Sequence, residues 1–360
     1  NIKNIIKNLI KNLSGTSTKK IQLNDLEEVY PKIEIPHDQY PVEKKKKYLL
    51  NMDKKVSEVS PLITQVSLTF LEDDKEYLIA NSEGKYIKSK NCVTRYMCNV
   101  YAEDEDKKAN EFTDYAQGKG YEILNQDLES QSIKTANTAI EKLYAVDFKG
   151  GELPVVIAPG FGAVIFHEAC GHGLEATRVA PKISVFSNDL GKKIATQKVT
   201  LIDDGTIPNA WGSNLIDDEG NPTQKNILIE NGILKNFLVD KLHSKDMKLS
   251  ANGCGRRESY QYAPTSRMSN TYLKPGNDKV EDMIKSIKLG VYCQRMSGGS
   301  VNPATGDFNF AVDTARLIED GNILVNSAKQ KISYKVNSGD KIEITIPEPK
   351  KIDLKPQDIK

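Results

Sequence analysis

Three successive runs of alternating apolar and polar residues, between positions 64 and 104, restrict the possible folds more than any other part of the sequence. They read TQVSLTFLEDD, KEYLIANSEGKYIKSK and CVTRYMCNVYAED. A period of two residues is typical of strands with one buried face, and the NSEG segment is a turn signal. Helical patterns precede and follow these runs, at 43–60 and 125–145. The pattern therefore predicts a layer of helices over an antiparallel sheet.

The rest of the sequence divides the chain into three parts. An amphipathic helix is predicted at 1–13, and a break follows the first part at DFKGGELP (147–154). Beyond the break, short strand-like runs and frequent turn signals predict a β-rich domain that carries a helix at 163–178. The last stretch shifts in composition towards lysine and isoleucine. We expect an α+β fold with an N-terminal α/β domain (1–147, antiparallel sheet and helices), a β-rich C-terminal domain (148–325) and a short α/β-type tail (326–360).

Charge, cysteine content and hydropathy restrict the functional classes. The formal net charge is +1 over 360 residues, so nucleic-acid binding would need a local basic patch. The five cysteines show no CxxC spacing, which predicts free thiols and a cytoplasmic location. No apolar run approaches the roughly 20 residues that a membrane span needs, and we expect no membrane partner.

The segment FHEACGHGLEA (166–176) contains two of the four histidines, His167 and His172. On a regular helix, five positions separate two side chains by about 140°, too far to bind one ion comfortably. A π-type turn, permitted by Gly171 and Gly173, would bring the two histidines towards one face. Glu168 directly follows the first histidine, where a general base can reach a metal-activated water. The segment predicts a metal site, and the alternative is a pair of structural histidines on a glycine-rich helix.

Four stretches resemble the TldD/PmbA family of metallopeptidases, whose catalytic subunits carry an HExxxH motif. The resemblance spans roughly residues 1–322 and is carried by GGELPVVIAPGFGAVIFHEACGHGLEA, GNPTQKNILIENGILKNFLVDKLHS, GRRESYQYAPTSRMSNTYLKPG and GVYCQRMSGGSVNPATGDFNFAV. It implies Zn²⁺ bound by His167 and His172, with Glu168 as the catalytic base. It also implies unfolded or short peptides as substrates, and a homodimer or a heterodimer with a PmbA-like subunit.

A cluster of arginines and tyrosines is the second candidate for function. Its members are Arg256, Arg257, Tyr260 and Arg267, within a segment interrupted by a proline and a glycine. We interpret them as substrate-binding residues that hold a peptide carboxylate or the oxyanion. The alternative is a β-ribbon with its charges directed outward.

The remaining histidines and the motif cysteine receive weaker predictions. His37 and His243 are single and lie among polar residues, which favours supporting or surface roles over metal ligation. Cys170 lies three residues after His167, where a thiol could reach a metal. We expect it instead to be a small packing residue.

The sequence departs from the family pattern at both ends. The resemblance implies a third zinc ligand, a cysteine from a glycine-rich C-terminal segment, and this sequence shows no counterpart, so we expect a chain truncated at both ends. The stretch LIEDGNILVNSAKQKISYKVNSGDKIEITIPEPKKIDLKPQDIK (317–360) instead resembles part of the RNA-binding module of ribosomal-RNA pseudouridine synthases. Three hypotheses remain: a zinc peptidase, a catalytically impaired fragment or non-enzymatic partner subunit, and RNA binding through the tail.

Overall fold

The computed structural model describes residues 21–146, 151–328 and 332–336. The predicted helix at 1–13 and most of the tail lie outside these residues. Helices and strands are mixed in the described part, and the α+β prediction is confirmed. No helix in the described ranges combines the length and the apolar composition that a membrane crossing requires. The cytoplasmic location stays a prediction.

A long β-hairpin forms the centre of the first domain. The antiparallel partners pair from Ile63↔Ala102 to Ala80↔Tyr86, so the three predicted runs are two strands. The connecting turn is the predicted one: the Asn81 side chain accepts hydrogen bonds from the backbone of Glu83 and Lys85. A third long strand was not predicted from the sequence. The strands of this sheet are β1 (Glu27–Val29), β2 (Ile63–Ala80), β3 (Tyr86–Asp104) and β4 (Lys107–Gln117).

Two helices cover one face of this sheet, as the sequence predicted. They are α1 (Val42–Ser57) and α2 (Leu128–Leu143). Asp127 caps α2 by accepting a hydrogen bond from the Ser130 backbone N–H at 3.1 Å. The helices and the sheet enclose one apolar core, whose fully buried members include Val56, Tyr96, Val100, Leu128, Ala136 and Leu143.

The described part of the second domain contains three sheets and several short helices. The strands are β5 (Val155–Ile157), β6 (Leu201–Asp204), β7 (Lys225–Glu230), β8 (Ile233–Leu234), β9 (Gly255–Arg256), β10 (Thr265–Ser266), β11 (Thr271–Leu273), β12 (Leu289–Val301), β13 (Phe308–Glu319), β14 (Asn322–Ala328) and β15 (Ile332–Val336). One sheet has the order β11–β6–β7–β8, the second has the order β14–β13–β12–β5 with β15 also paired to β13, and β9 and β10 form the third. The helices are α3 (Val164–Phe166), α4 (Ala176–Val179), α5 (Lys241–Met247) and α6 (Val280–Lys285).

The segment that contains the histidines packs against both cores of the second domain. Val164 and Ile165 contact the core of the β12–β13 sheet. Phe166 and Cys170 contact the core around β6, β7 and β8, of which Leu174 is a buried member. The segment is thereby held on two sides, so its backbone is a rigid support for the side chains between these contacts.

A buried ionic network joins the two domains. Glu111 of β4 lies 2.9 Å from Lys142 Nζ, accepts a hydrogen bond from Thr314 at 2.8 Å, and also pairs with Arg295. Lys142 in turn lies 2.8 Å from Asp313. Because Thr314, Arg295 and Asp313 belong to β12 and β13, the network ties the first sheet to the sheet that supports the histidine segment.

The end of the second domain continues into the expected tail. Residue 326, where the tail was expected to begin, lies inside β14. The strand Ile332–Val336 then pairs antiparallel with β13, with Val312↔Ile332 and Phe308↔Val336 in register. These five residues therefore belong to the sheet of the second domain.

Candidate metal centre

The helix that bears the two histidines changes its winding at the motif. After α3, residues His167–Gly171 form a π-helical turn and His172–Leu174 form a 3₁₀ turn. The backbone N–H of His172 donates to the carbonyl of His167, which is the i→i+5 hydrogen bond of a π-turn. The π-type turn predicted from the five-residue spacing is confirmed.

The two glycines beside His172 are required by close packing, and not by the change of winding for which they were predicted. A Cβ atom at Gly171 would lie 2.1 Å from Met268 Sδ. A Cβ atom at Gly173 would lie 2.9 Å from an atom of the Phe186 ring. Gly171 has an ordinary helical backbone with φ −53°, so its role is close approach and not unusual dihedral angles.

The widened turn brings the three predicted site residues together. The imidazole rings of His167 and His172 are perpendicular, and their centroids lie 4.9 Å apart. One ligand atom from each of His167, Glu168 and His172 lies within 4.8 Å of the others. Glu168 Oε2 is 3.8 Å from His172 Nε2. Two nitrogens and one carboxylate oxygen thus converge on a volume the size of one ion.

Glu175, which was not predicted from the sequence, orients one of the histidines. Its Oε1 lies 3.2 Å from His172 Nδ1, and its side chain is only 1% exposed. A carboxylate accepts only, so Nδ1 must donate, and in a neutral imidazole this leaves the Nε2 lone pair directed at the site. A carboxylate three residues after the second histidine, in HGLE, was the available signal.

The surroundings shift the pKa values of His167 and His172 in opposite directions. The hydrogen bond to Glu175 raises the pKa of His172, and the negative charges of Glu175 and Glu168 act in the same direction. Burial lowers the pKa of His167, and the neighbouring His172 lowers it further. Asp203, a buried carboxylate held by Ser269 and Thr271, opposes this lowering through its charge.

No cysteine completes the site among the described residues. Cys170 contacts the apolar core beside β6 and β7, as expected for a packing residue, and burial raises its pKa to about 12. Cys254 and Cys293 are buried members of two different cores. Within the described ranges, the Glu168 carboxylate is the third group with a potential ligand atom close to those of the two histidines.

One of the predicted substrate-binding residues pairs with Glu175 of the centre, and the other three have different surroundings. Arg267 Nη1 is 3.4 Å from Glu175 Oε2, and its side chain is 52% exposed. Arg256 donates to the Met268 carbonyl at 3.2 Å, and Arg257 donates to the Tyr262 carbonyl at 3.1 Å. Tyr260 is 86% exposed.

The segment also forms a short β-ribbon, the feature on which the alternative interpretation was based. Arg256 of β9 pairs antiparallel with Thr265 of β10. The substrate-binding role of the four residues stays a prediction.

The two remaining histidines have supporting contacts. His243 Nδ1 lies 2.7 Å from Asp240 Oδ2, at the start of α5. His37 is buried in the first domain, where it contacts Asp74 and Thr94. The surface alternative does not apply to His37.

Comparison with known families gives two adjacent matches. Residues 35–145 match the PmbA/TldA metallopeptidase central domain, and residues 150–337 match the PmbA/TldA metallopeptidase C-terminal domain. The expectation that the resemblance ends near residue 323 is wrong, since the second match continues through β15.

Individual relatives carry metalloprotease names. The metalloprotease TldD homolog of Buchnera aphidicola subsp. Acyrthosiphon pisum is 35% identical over 315 residues, which are 85% of this chain and 65% of the relative. The zinc metalloprotease TldD homolog of Saccharolobus solfataricus is 28% identical over 271 residues, 74% of this chain and 60% of the relative. The chain therefore spans less than two thirds of the length of either relative.

A solved structure has the same fold. The crystal structure of TldE from Thermococcus kodakarensis superposes with a TM-score of 0.72 at 23% identity, covering 93% of this chain and 75% of that one. At this identity the likeness concerns the fold.

Proposed function

Because the chain belongs to the TldD/PmbA metallopeptidase family, we propose that it is a zinc-dependent peptidase, with His167 and His172 as metal ligands and Glu168 as the catalytic base. The observation that carries the proposal is the convergence of these three side chains within 4.8 Å on a π-helical turn. The name of the Saccharolobus solfataricus relative is consistent with zinc as the metal.

The residues at the centre fit a zinc ion. Two imidazole nitrogens are common zinc ligands, and a histidine whose second nitrogen donates to a carboxylate is the usual supporting arrangement. His172 and Glu175 have this arrangement. When bound, zinc supplies Lewis-acid chemistry, polarising a carbonyl and making a water molecule more acidic.

Glu168 is the residue that would move protons. Its side chain is partly exposed at 24%, so solvent and substrate can reach it. In the proposed reaction, its carboxylate accepts a proton from the attacking water and passes that proton to the departing amine. Glu175 is already hydrogen-bonded to His172 and almost fully buried, so it cannot share this task.

We propose unfolded or short peptides as the substrates. The half-exposed guanidinium of Arg267, next to the metal centre, can pair with a peptide carboxylate or with the developing oxyanion. Arg256, Arg257 and Tyr260 would contact more distant parts of a bound peptide. A homodimer or a heterodimer with a PmbA-like subunit is also proposed, and light scattering with and without such a subunit distinguishes them.

Casein hydrolysis by the zinc-loaded protein tests the proposal. Glu168→Gln should abolish hydrolysis while zinc binding persists, because the amide cannot accept the proton. Glu43→Gln, a change at an exposed position of α1, is the matched control and should retain full activity. Hydrolysis that persists in a folded Glu168→Gln variant would refute the base role. A folded wild-type protein that binds no zinc at neutral pH would refute the metal centre.

A further inference from the structure

A second cluster of metal-ligating side chains lies in the first domain. It consists of His37, Asp74 and Cys92, whose ligand atoms lie within 4.8 Å of one another. Asp74 of β2 and Cys92 of β3 are directly opposite cross-strand partners, so their side chains lie on the same face of the sheet. His37 comes from the connection between β1 and α1. Three separate segments of the chain therefore supply one nitrogen, one oxygen and one sulfur.

His37 is held at both of its ring nitrogens. Nε2 lies 2.8 Å from Thr94 Oγ1, and Nδ1 lies 2.9 Å from Asp74 Oδ2. The Thr94 hydroxyl is also within hydrogen-bond distance of the carbonyls of Lys119, at 2.7 Å, and Gly120, at 3.1 Å. The tautomer with its proton on Nε2 lets this hydroxyl donate to a carbonyl, and it directs the Nδ1 lone pair towards Asp74, where a metal ion can bind.

The separations within the cluster are close to those around a tetrahedral zinc ion. Bond lengths of about 2.0 Å to nitrogen and oxygen and about 2.3 Å to sulfur imply ligand-to-ligand separations of roughly 3.3–3.6 Å. The observed separations are 2.9 Å from His37 Nδ1 to Asp74 Oδ2 and 3.9 Å from Nδ1 to Cys92 Sγ. Since Sγ is also 3.8 Å from Nε2, a rotation about the Cα–Cβ bond of Cys92 is needed to align it with the Nδ1 lone pair.

Burial and the neighbouring contacts are those of a metal site with one open position. His37 is 7% exposed and Cys92 is 1% exposed, whereas the Asp74 side chain is 36% exposed and leaves an approach from solvent. Thr94 holds the imidazole by the nitrogen that would not bind the metal, as supporting groups of metal-bound histidines do. Lys90 contacts Asp74 Oδ1 at 3.1 Å, so Oδ2 remains directed at His37.

We propose that His37, Asp74 and Cys92 form a second zinc site, separate from the histidine pair at 167 and 172. The ion displaces the proton of the Cys92 thiol and any proton on His37 Nδ1, and these protons leave to solvent. The negative charges of the Asp74 carboxylate and the Cys92 thiolate then balance the two positive charges of the ion. Zinc held here ties the segment before α1 to the hairpin of β2 and β3.

Cobalt(II) binding tests this site, because a bond between Co²⁺ and a thiolate produces a charge-transfer absorbance that histidine and carboxylate ligands do not. The experiment uses the full chain with His167→Ala and His172→Ala, which removes the first centre. We expect one equivalent of Co²⁺ with the thiolate band, displaced by Zn²⁺. Adding Cys92→Ala or His37→Gln should remove the band and weaken binding by more than about 100-fold, since even supporting residues contribute 10–100-fold.

Cys98→Ala is the matched control, because Cys98 is buried on the same strand and makes no contact with His37 among its described contacts. It should retain the band. Circular dichroism identifies variants that do not fold. A folded double variant without the band overturns the proposal, as does a band that persists in both Cys92→Ala and His37→Gln. Neither outcome bears on the peptidase proposal, which concerns the histidines already removed.

Discussion

Replacing Glu175 by alanine should weaken zinc binding at the first centre without unfolding the protein. Glu175 Oε1 accepts a hydrogen bond from His172 Nδ1 at 3.2 Å, and the other carboxylate oxygen is 3.4 Å from Arg267. Without the carboxylate, His172 loses the contact that selects its tautomer and fixes the direction of its ring. Supporting carboxylates of this kind contribute about 10–100-fold to metal affinity.

The expected loss is near the upper end of that range. The Glu175 side chain is 1% exposed, so water cannot readily replace its hydrogen bond to His172. A 100-fold loss corresponds to about 2.7 kcal/mol of binding free energy. Glu175→Gln should show a smaller loss, because its amide oxygen can still accept from Nδ1 although the negative charge is gone.

Competition for zinc with a chromophoric chelator measures these affinities when all variants carry Cys92→Ala, which removes the second proposed site. Arg267→Gln serves as the comparison, since Arg267 pairs with Glu175 and acts on His172 through its positive charge, which lowers the pKa of His172. We expect it to change zinc affinity by less than Glu175→Ala does. If folded Glu175→Ala binds zinc within about twofold of the wild type, the orienting role of Glu175 is wrong.

Three other changes test the packing, the domain junction and the tail. Gly171→Ala should lower the free energy of unfolding by about 1–3 kcal/mol because its Cβ would lie 2.1 Å from Met268 Sδ. Urea denaturation should show that adding Met268→Ala restores part of this free energy. An unchanged free energy of unfolding in Gly171→Ala would contradict the packing argument. Glu111→Ala should cost about 3–5 kcal/mol, because it leaves Arg295 and a lysine without their buried partner; a thermal midpoint equal to that of the wild type would show that the network contributes nothing. If the tail binds RNA, deleting residues 338–360, which spares β15, should remove a salt-dependent affinity, and an unchanged affinity would end that hypothesis.

The convergence of His167, Glu168 and His172 was predictable because its signal lies within six consecutive residues. Residues five positions apart, such as His167 and His172, do not lie on one face of a regular α-helix, but they do in a π-turn. If the two histidines bind one ion, the sequence therefore predicts a π-turn between them. Glu168 is adjacent to His167 in the chain and could be included for the same reason. Spacing within a helix is informative because helical geometry determines the direction in which each side chain projects.

The supporting residues were less predictable because they depend on distant contacts. Arg267 lies 92 positions after Glu175, and no sequence pattern indicated that it would pair with a carboxylate instead of extending into a substrate cleft. Gly171 is required because Met268, far along the chain, occupies the space of a Cβ atom. The cluster of His37, Asp74 and Cys92 likewise depends on the register of β2 against β3.

Periodicity and local spacing in the sequence by themselves determined the α+β class, the hairpin turn at 81–84, the two helices over the sheet and the π-turn of the histidine motif. Each of these features depends on residues within one or two helical turns or strands, where backbone geometry alone determines the face on which a side chain lies. Only the tertiary structure decided that Arg267 pairs with Glu175, that Met268 occupies the space beside Gly171, and that residues 332–336 join the sheet of the second domain. These depend on strand register and on packing between distant segments, which a one-residue shift would reverse, so no local pattern encodes them.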